Sequence, residues 1–288
     1  MAGSPFSLLK WQHLLDFAAT IFRRCLFPAP SRDMRYPPQG PINHLTDIRT
    51  GSDGIINIIQ WRRKGSAQLC IYIHGRGRSA NRSIDFWDDG TPEMMRLLAT
   101  FEPSSEVYGI NLPGYETSTL SNNDLANAEL DTIVAAEEVA KWIKTRKRKS
   151  ITIVGQSIGA YFAARLSSYL PEAHLVLVTP LASLLEIKYL HIPSCIVRWL
   201  ASAAYPCGIE TNCFDVRKVL DWMSSNSLPR SLVVFDAKDD QLMGDGVGNT
   251  LVTALGRGHV ITMGSKKGHA SSPTSSEWQR ACKLREAA

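Results

Sequence analysis

Ser157 stands in the pentapeptide Gly155-Gln156-Ser157-Ile158-Gly159, between four β-favouring residues, Ile151 to Val154, and a run in which Ile158, Phe162, Leu166 and Leu170 recur every four positions. That context, more than the motif, points to a nucleophile. A strand that turns sharply into a helix leaves little room. Glycines at 155 and 159 let the two backbones approach while the serine is held in a strained conformation with its hydroxyl outward. The same turn aims the Ile158 amide at an oxygen on the attacked carbon, and the helix N-terminus favours the negative charge that develops there. The bland alternative is a plain glycine-rich turn.

A second donor to that oxygen is expected upstream. His74-Gly75-Arg76-Gly77-Arg78 follows the strand-like segment Leu69 to Ile73, and the amide of Arg76 is the candidate, with Gly75 and Gly77 giving the backbone freedom to turn it inward. Arg76 and Arg78 could also favour a phosphate or carboxylate on a substrate, although solvated arginines explain them as well. His74, at a strand end, is read as steadying the loop by hydrogen bonding. For the base that takes the serine proton, His269 is the choice, because it lies in a loop beyond the strand His259 to Met263. His259 and His174 each begin a strand and should lie at the opposite end of the sheet. His191 falls in an inserted segment, and His13 and His44 come too early.

These residues need a scaffold, and the apolar patterning supplies one. Ile48 to Trp61, with an Asp53-Gly54 turn, reads as an opening β-hairpin. Strand signals at 69–73, 107–110, 151–154, 174–178, 231–235 and 259–263 then alternate with helical segments at 94–100, 126–143 and 158–170. Such alternation predicts βαβ units and a largely parallel sheet covered on both faces. The interval from Leu181 to Leu228 breaks the pattern, with Tyr189, Trp199, Tyr205 and Trp222 and three cysteines, and is expected to be a cap inserted over the sheet edge.

Composition narrows the function classes. The chain has 288 residues, 44% hydrophobic and 20% charged, which fits one large core and excludes a disordered tail or a multispanning membrane protein. The net charge of +5 permits attraction to anionic partners without demanding it, and no nucleic-acid motif accompanies it. The basic run 144–149 falls between a helix and a strand, where a solvated connection is the better reading. Six cysteines, at 25, 70, 195, 207, 213 and 282, contain no CxxC pair and match no zinc pattern, which favours a reducing compartment. A Cys207–Cys213 bridge is conceivable if the protein is exported. Residues 6–27 are apolar but interrupted by Lys10, Asp16 and Arg23-Arg24, too broken for a spanning helix and without the layout of a signal peptide. They fit an amphipathic helix that lies on a membrane surface or packs on the protein body, stopped by Pro28-Ala29-Pro30.

The segments Tyr72-Ile-His-Gly-Arg-Gly77, Gly109-Ile-Asn-Leu-Pro-Gly-Tyr115 and Gly155-Gln-Ser-Ile-Gly159, in this order, resemble the alpha/beta-hydrolase family. The Gln-Ser-Ile elbow, the Thr50-Gly-Ser-Asp-Gly54 approach and the apolar N-terminal segment resemble its membrane-associated branch, which includes protein depalmitoylases. The resemblance covers roughly residues 45–275. It implies an α/β fold with a mostly parallel central sheet of about eight strands flanked by helices, and a Ser, Asp, His triad in that chain order. The family's Gly-x-x-Asp-x-x-Val turn falls best on Asp239, with Asp236 in the usual glycine position and Asp240 adjacent; either could replace Asp239 if the loop shifted by one residue. Arg76 stands where the family usually has a small uncharged residue.

The resulting expectations are an N-terminal amphipathic helix over 1–30 and a hydrolase domain over 45–288 with its cap at about 181–228. The chemistry is hydrolysis of an ester or thioester, with an acyl or other hydrophobic group, by Ser157, Asp239 and His269, with Arg76 and Ile158 as oxyanion donors and no metal or cofactor. The partner is a small-molecule or lipid-modified substrate, with no nucleic acid, in the cytoplasm or on a membrane surface. A lipase or peptidase of the same fold, a catalytically silent binding module, and nucleic-acid binding through 144–149 are the competing readings.

Overall fold

Eight strands make one sheet in the computed structural model of the protein, which describes residues 44–49, 54–62, 67–75, 94, 97, 98, 100, 105–113, 118, 125–183, 186, 214–264, 267–269 and 271–288. In chain order they are β1 (His44–Arg49), β2 (Ile55–Arg62), β3 (Gln68–Ile73), β4 (Ser105–Ile110), β5 (Ser150–Gln156), β6 (His174–Val178), β7 (Ser231–Ala237) and β8 (His259–Met263). The spatial order is β1-β2-β4-β3-β5-β6-β7-β8. β2 pairs antiparallel with both β1 and β4, and every later pairing is parallel. The hairpin and the largely parallel sheet are therefore as the patterning predicts. The crossing of β3 and β4 is not visible in it.

Strand residues from β5 to β7 divide by the two-residue pleat. Ile151, Ile153, Leu175, Leu177, Leu232 and Val234 join one buried cluster, whereas Val154, Val176, Val178, Val233 and Phe235 join another. Near-continuous apolar strands follow from burial on both faces. On the first face lie α1 (Leu125–Thr145), α2 (Gly159–Ser168), α3 (Val216–Asn226) and α4 (Val247–Leu255), through residues such as Val139, Phe162, Leu220 and Leu251. The second face is covered by α5 (Ser275–Glu286), whose buried Trp278 stacks on Phe235 at 5.5 Å, and by Met94 and Leu98, helical as expected.

Local chemistry explains the helix starts. Asp215 caps α3 by accepting from the amides of Arg217 and Lys218, and Thr274 and Glu277 form a reciprocal capping box on α5. α3 packs Val216, Val219, Leu220 and Met223 into the main core, so the last part of the interval 181–228 is a sheet-flanking helix rather than a lid. The middle of that interval, with His191 and the cysteines at 195, 207 and 213, lies outside the described residues, as do 1–43. Cys70 is buried in β3 and Cys282 half-buried in α5.

The basic run 144–149 does connect a helix to a strand, but two of its members have partners. Arg148 reaches the buried Glu106 at 2.7 Å, and Arg146 stacks over Trp142 at 4.5 Å. Trp142 in turn meets Tyr108 edge-on. Among the described residues no helix is long and apolar enough to cross a membrane.

Candidate active site

The parallel register aligns the carboxyl ends of the central strands, pairing Gln156 with Val178, Val178 with Phe235 and Ala237 with Met263. The loops leaving these ends converge on Ser157, at the position where open α/β sheets bind their ligands.

Ser157 has φ 52°, in the left-handed region, between β5 and α2. Two glycines make this turn sterically attainable. A Cβ on Gly155 would lie 2.5 Å from the Cβ of Ala163, and one on Gly159 would lie 2.5 Å from the carbonyl oxygen of His74. The turn is locked from several sides. The Ser157 amide donates to the Val178 carbonyl, the Leu181 amide donates to the Ser157 carbonyl, and the Tyr72 hydroxyl donates to Gln156 Oε1 at 2.7 Å. Ile158 is the N-cap of α2, so its N–H belongs to the helix end that favours an anion.

Ser157 Oγ is 2.7 Å from His269 Nε2, and His269 Nδ1 is 2.8 Å from Asp240 Oδ2. An ionised carboxylate can only accept, so Nδ1 carries the proton and donates to Asp240, leaving the Nε2 lone pair facing the Ser157 hydroxyl. The Asp240 carboxylate is buried, which would raise its pKa. The hydrogen bond and charge of His269, with the amides of Met243 and Leu242, outweigh burial and hold it below the ordinary carboxylate value. The acid is thus ionised and aimed.

This corrects the expected register: Asp239 is not the carboxylate at His269. A turn closed by the Asp240 amide on the Ala237 carbonyl puts Lys238 and Asp239 at an exposed tip and brings Asp240 back inward, 5% exposed. The Asp239 amide donates to the Lys267 carbonyl, tying the acid loop to the histidine loop. Asp236 belongs to β7, where it accepts from the Gly248 amide; burial pushes its carboxyl up. The sequence carried no signal separating Asp240 from its neighbours: all three aspartates are followed at two and three positions by non-proline residues whose amides an Asp can accept, and only the fold shows Asp240 accepting those of Leu242 and Met243.

The loop after β3 is described only as far as Gly75, so the Arg76 amide lies outside the described residues. What precedes it is well placed. A Cβ on Gly75 would fall 3.0 Å from the Ser157 Cβ, so the loop runs against the serine. His74 Nε2 accepts from the Leu112 amide, which leaves Nδ1–H to donate to the Gly75 carbonyl at 2.8 Å. Burial, partly offset by that bond, lowers its pKa to about 4, so it bridges the loops after β3 and β4 as a neutral ring. That is the steadying role its strand-end position suggests. His174 begins β6 far from Ser157 and contacts Ser231 Oγ at 2.7 Å, while His259 is exposed at the start of β8.

A strained serine at a strand-to-helix turn, backed by a histidine and a carboxylate from later loops, defines a nucleophile-elbow sheet protein. The chain belongs to the alpha/beta hydrolase family, whose profile it matches over residues 70–263. No curated protein matches the sequence. Among solved structures, an esterase from Pyrococcus furiosus superposes with a TM-score of 0.60 at 16% identity, over 90% of this chain and 95% of that one. Est1E from Butyrivibrio proteoclasticus gives 0.56 at 11% identity over 84% and 96%, and a meta-cleavage product hydrolase gives 0.51 at 13% over 84% and 98%. At such identities the likeness is one of fold.

Proposed function

We propose that the protein is a serine hydrolase that cleaves a carboxylic ester or thioester through an acyl-enzyme. The reading rests on one observation, the unbroken chain from Ser157 Oγ through the two nitrogens of His269 to Asp240, with contacts of 2.7 and 2.8 Å.

In the first half-reaction the Ser157 oxygen attacks the acyl carbon while its proton passes to His269 Nε2. The imidazolium so formed is stabilised by Asp240, and the carbonyl oxygen, now anionic, accepts from the Ile158 amide and from the expected Arg76 amide. Collapse expels the alcohol or thiol, which takes the proton from His269. In the second half-reaction water, deprotonated by the same nitrogen, attacks the acyl-serine and releases the acid. No step calls for a group beyond these side chains and amides. The apolar and aromatic residues between 181 and 228 favour an acyl or other hydrophobic substrate, and residues 1–27 could carry the site to a membrane surface.

The test is active-site labelling with a fluorophosphonate, followed by hydrolysis of p-nitrophenyl esters of graded chain length and of a palmitoyl thioester. Wild type should be labelled and Ser157→Ala should not, with kcat in that variant falling by roughly 10⁴-fold or more. Equal labelling of both would overturn the nucleophile, and a flat response to chain length would overturn the hydrophobic substrate.

A further inference from the structure

We propose that Thr179 is a positioning residue of this site: its hydroxyl, presented by a left-handed backbone, sets where His269 stands relative to Ser157. The inference rests on the serine-hydrolase reading and adds a residue to it.

Thr179 is the first residue beyond β6 and has φ 40°. A β-branched residue is disfavoured there, because its Cβ substituents crowd the backbone, so the conformation persists only where the surroundings impose it. They do so through both neighbours. The Thr179 amide donates to the Phe235 carbonyl at 2.9 Å, carrying the β6–β7 ladder one residue past the strand. On either side, the Val178 carbonyl accepts from the Ser157 amide at 3.0 Å and the Leu181 amide donates to the Ser157 carbonyl at 3.1 Å. Residues 178–181 are therefore fastened to both backbone groups of the nucleophile.

From this anchored point Thr179 Oγ1 donates to the His269 carbonyl oxygen at 2.6 Å. His269 sits on a loop and not on a strand, so its backbone is placed by such contacts. The acid loop touches the same region from the other side, through the Asp239 amide on the Lys267 carbonyl and through Asp240 on the ring. Asp240 governs the tilt of the imidazole. Thr179 governs how far its backbone stands from the elbow, and the 2.7 Å separation of Ser157 Oγ and His269 Nε2 depends on both. Any residue could continue the ladder at 179, and glycine would do so without strain. A threonine there is explained by the hydroxyl.

The experiment uses the full chain with Thr179→Ser, Thr179→Val and Thr179→Gly. It measures the fluorophosphonate labelling rate, kcat and KM for p-nitrophenyl butyrate per labelled site, and Tm. Serine keeps the hydroxyl and should stay within about 3-fold of wild type, while valine and glycine should lose roughly 10- to 100-fold in labelling rate and kcat with KM little changed. Thr179→Gly relieves the positive φ while giving up the buried hydroxyl, and all rates are read well below the lowest Tm of the set, so a loss of rate cannot come from unfolding. Wild-type rates in Thr179→Gly or Thr179→Val, or serine as slow as valine, would overturn the proposal while leaving the hydrolase reading intact. A wild type that is not labelled at Ser157 would overturn both.

Discussion

Asp239 and Asp240 are adjacent, identical in type and opposite in environment. Asp240 is buried, accepts two backbone amides and holds His269, whereas Asp239 lies exposed on the turn that precedes it. Only the first can fix the tautomer of the base. Asp240→Asn keeps the shape but offers an amide group where a carboxylate must accept, so kcat should fall by roughly 10³- to 10⁴-fold, by analogy with loss of a triad carboxylate. Asp239→Asn should leave kcat within about twofold, as for an ordinary surface substitution. Steady-state hydrolysis by the two purified variants distinguishes them, and the reverse ranking would return the acid to Asp239. Residue type could not have made this choice, because three carboxylates occur within five positions, one at the end of the strand and two just beyond it.

At the scale of elements, the site is made by the way α2 meets the end of β3. The backbone of Gly159 passes so near that strand that an added Cβ would lie 2.5 Å from the His74 carbonyl oxygen and 2.6 Å from that of Ile73. Both obstacles are backbone atoms and neither can rotate away. Gly159→Ala must therefore push the first turn of α2 outward and carry the Ile158 amide with it. Its cost should be about 1–3 kcal/mol of unfolding free energy, as for overpacked cores, with a slower fluorophosphonate reaction. Gly264→Ala is the control, since a Cβ there would meet nothing within 4 Å, and its urea midpoint should match wild type. An unaffected Gly159→Ala would show that this approach is not needed. The glycine spacing was legible in the sequence together with the strand before it and the helix after it; the partner that makes Gly159 necessary was not.

For the whole molecule, the two ends of the sheet differ in their buried histidines. His74 lies beside the elbow and His174 at the amino end of β6, and both have pKa values lowered from 6.5 to about 4, His74 by burial and His174 by burial together with the charges of Arg285 and Arg230. In the unfolded chain each takes up a proton near its ordinary value, while the folded form resists protonation until about pH 4. Between these values the unfolded state binds more protons, so stability is fully present above the unfolded pKa and is lost as the pH falls toward the folded one. Tm should therefore drop between about pH 7 and about pH 5, and His174→Gln, which keeps a hydrogen-bonding group for Ser231, should make that drop shallower. Scanning calorimetry at the two pH values reads this directly. An equal drop in the variant would remove His174 as a contributor.

The strands, the hairpin, the helices α1 and α2 and the serine with its helix N-terminus were legible in the sequence alone, because they express local properties: a pleat or helical period in apolar residues and glycines flanking a serine. α4 and α5 were not read from it. His269 was reached by the same route, as the histidine that follows the last strand. The tertiary structure decided the order of β3 and β4, the inclusion of α3 in the core, the contact between His74 and Leu112, and the anchoring of His269 by Thr179. Above all it decided between three aspartates. Which of them faces a histidine 29 residues further along the chain depends on how one turn directs successive side chains in space, and no short-range pattern of residue types encodes that direction.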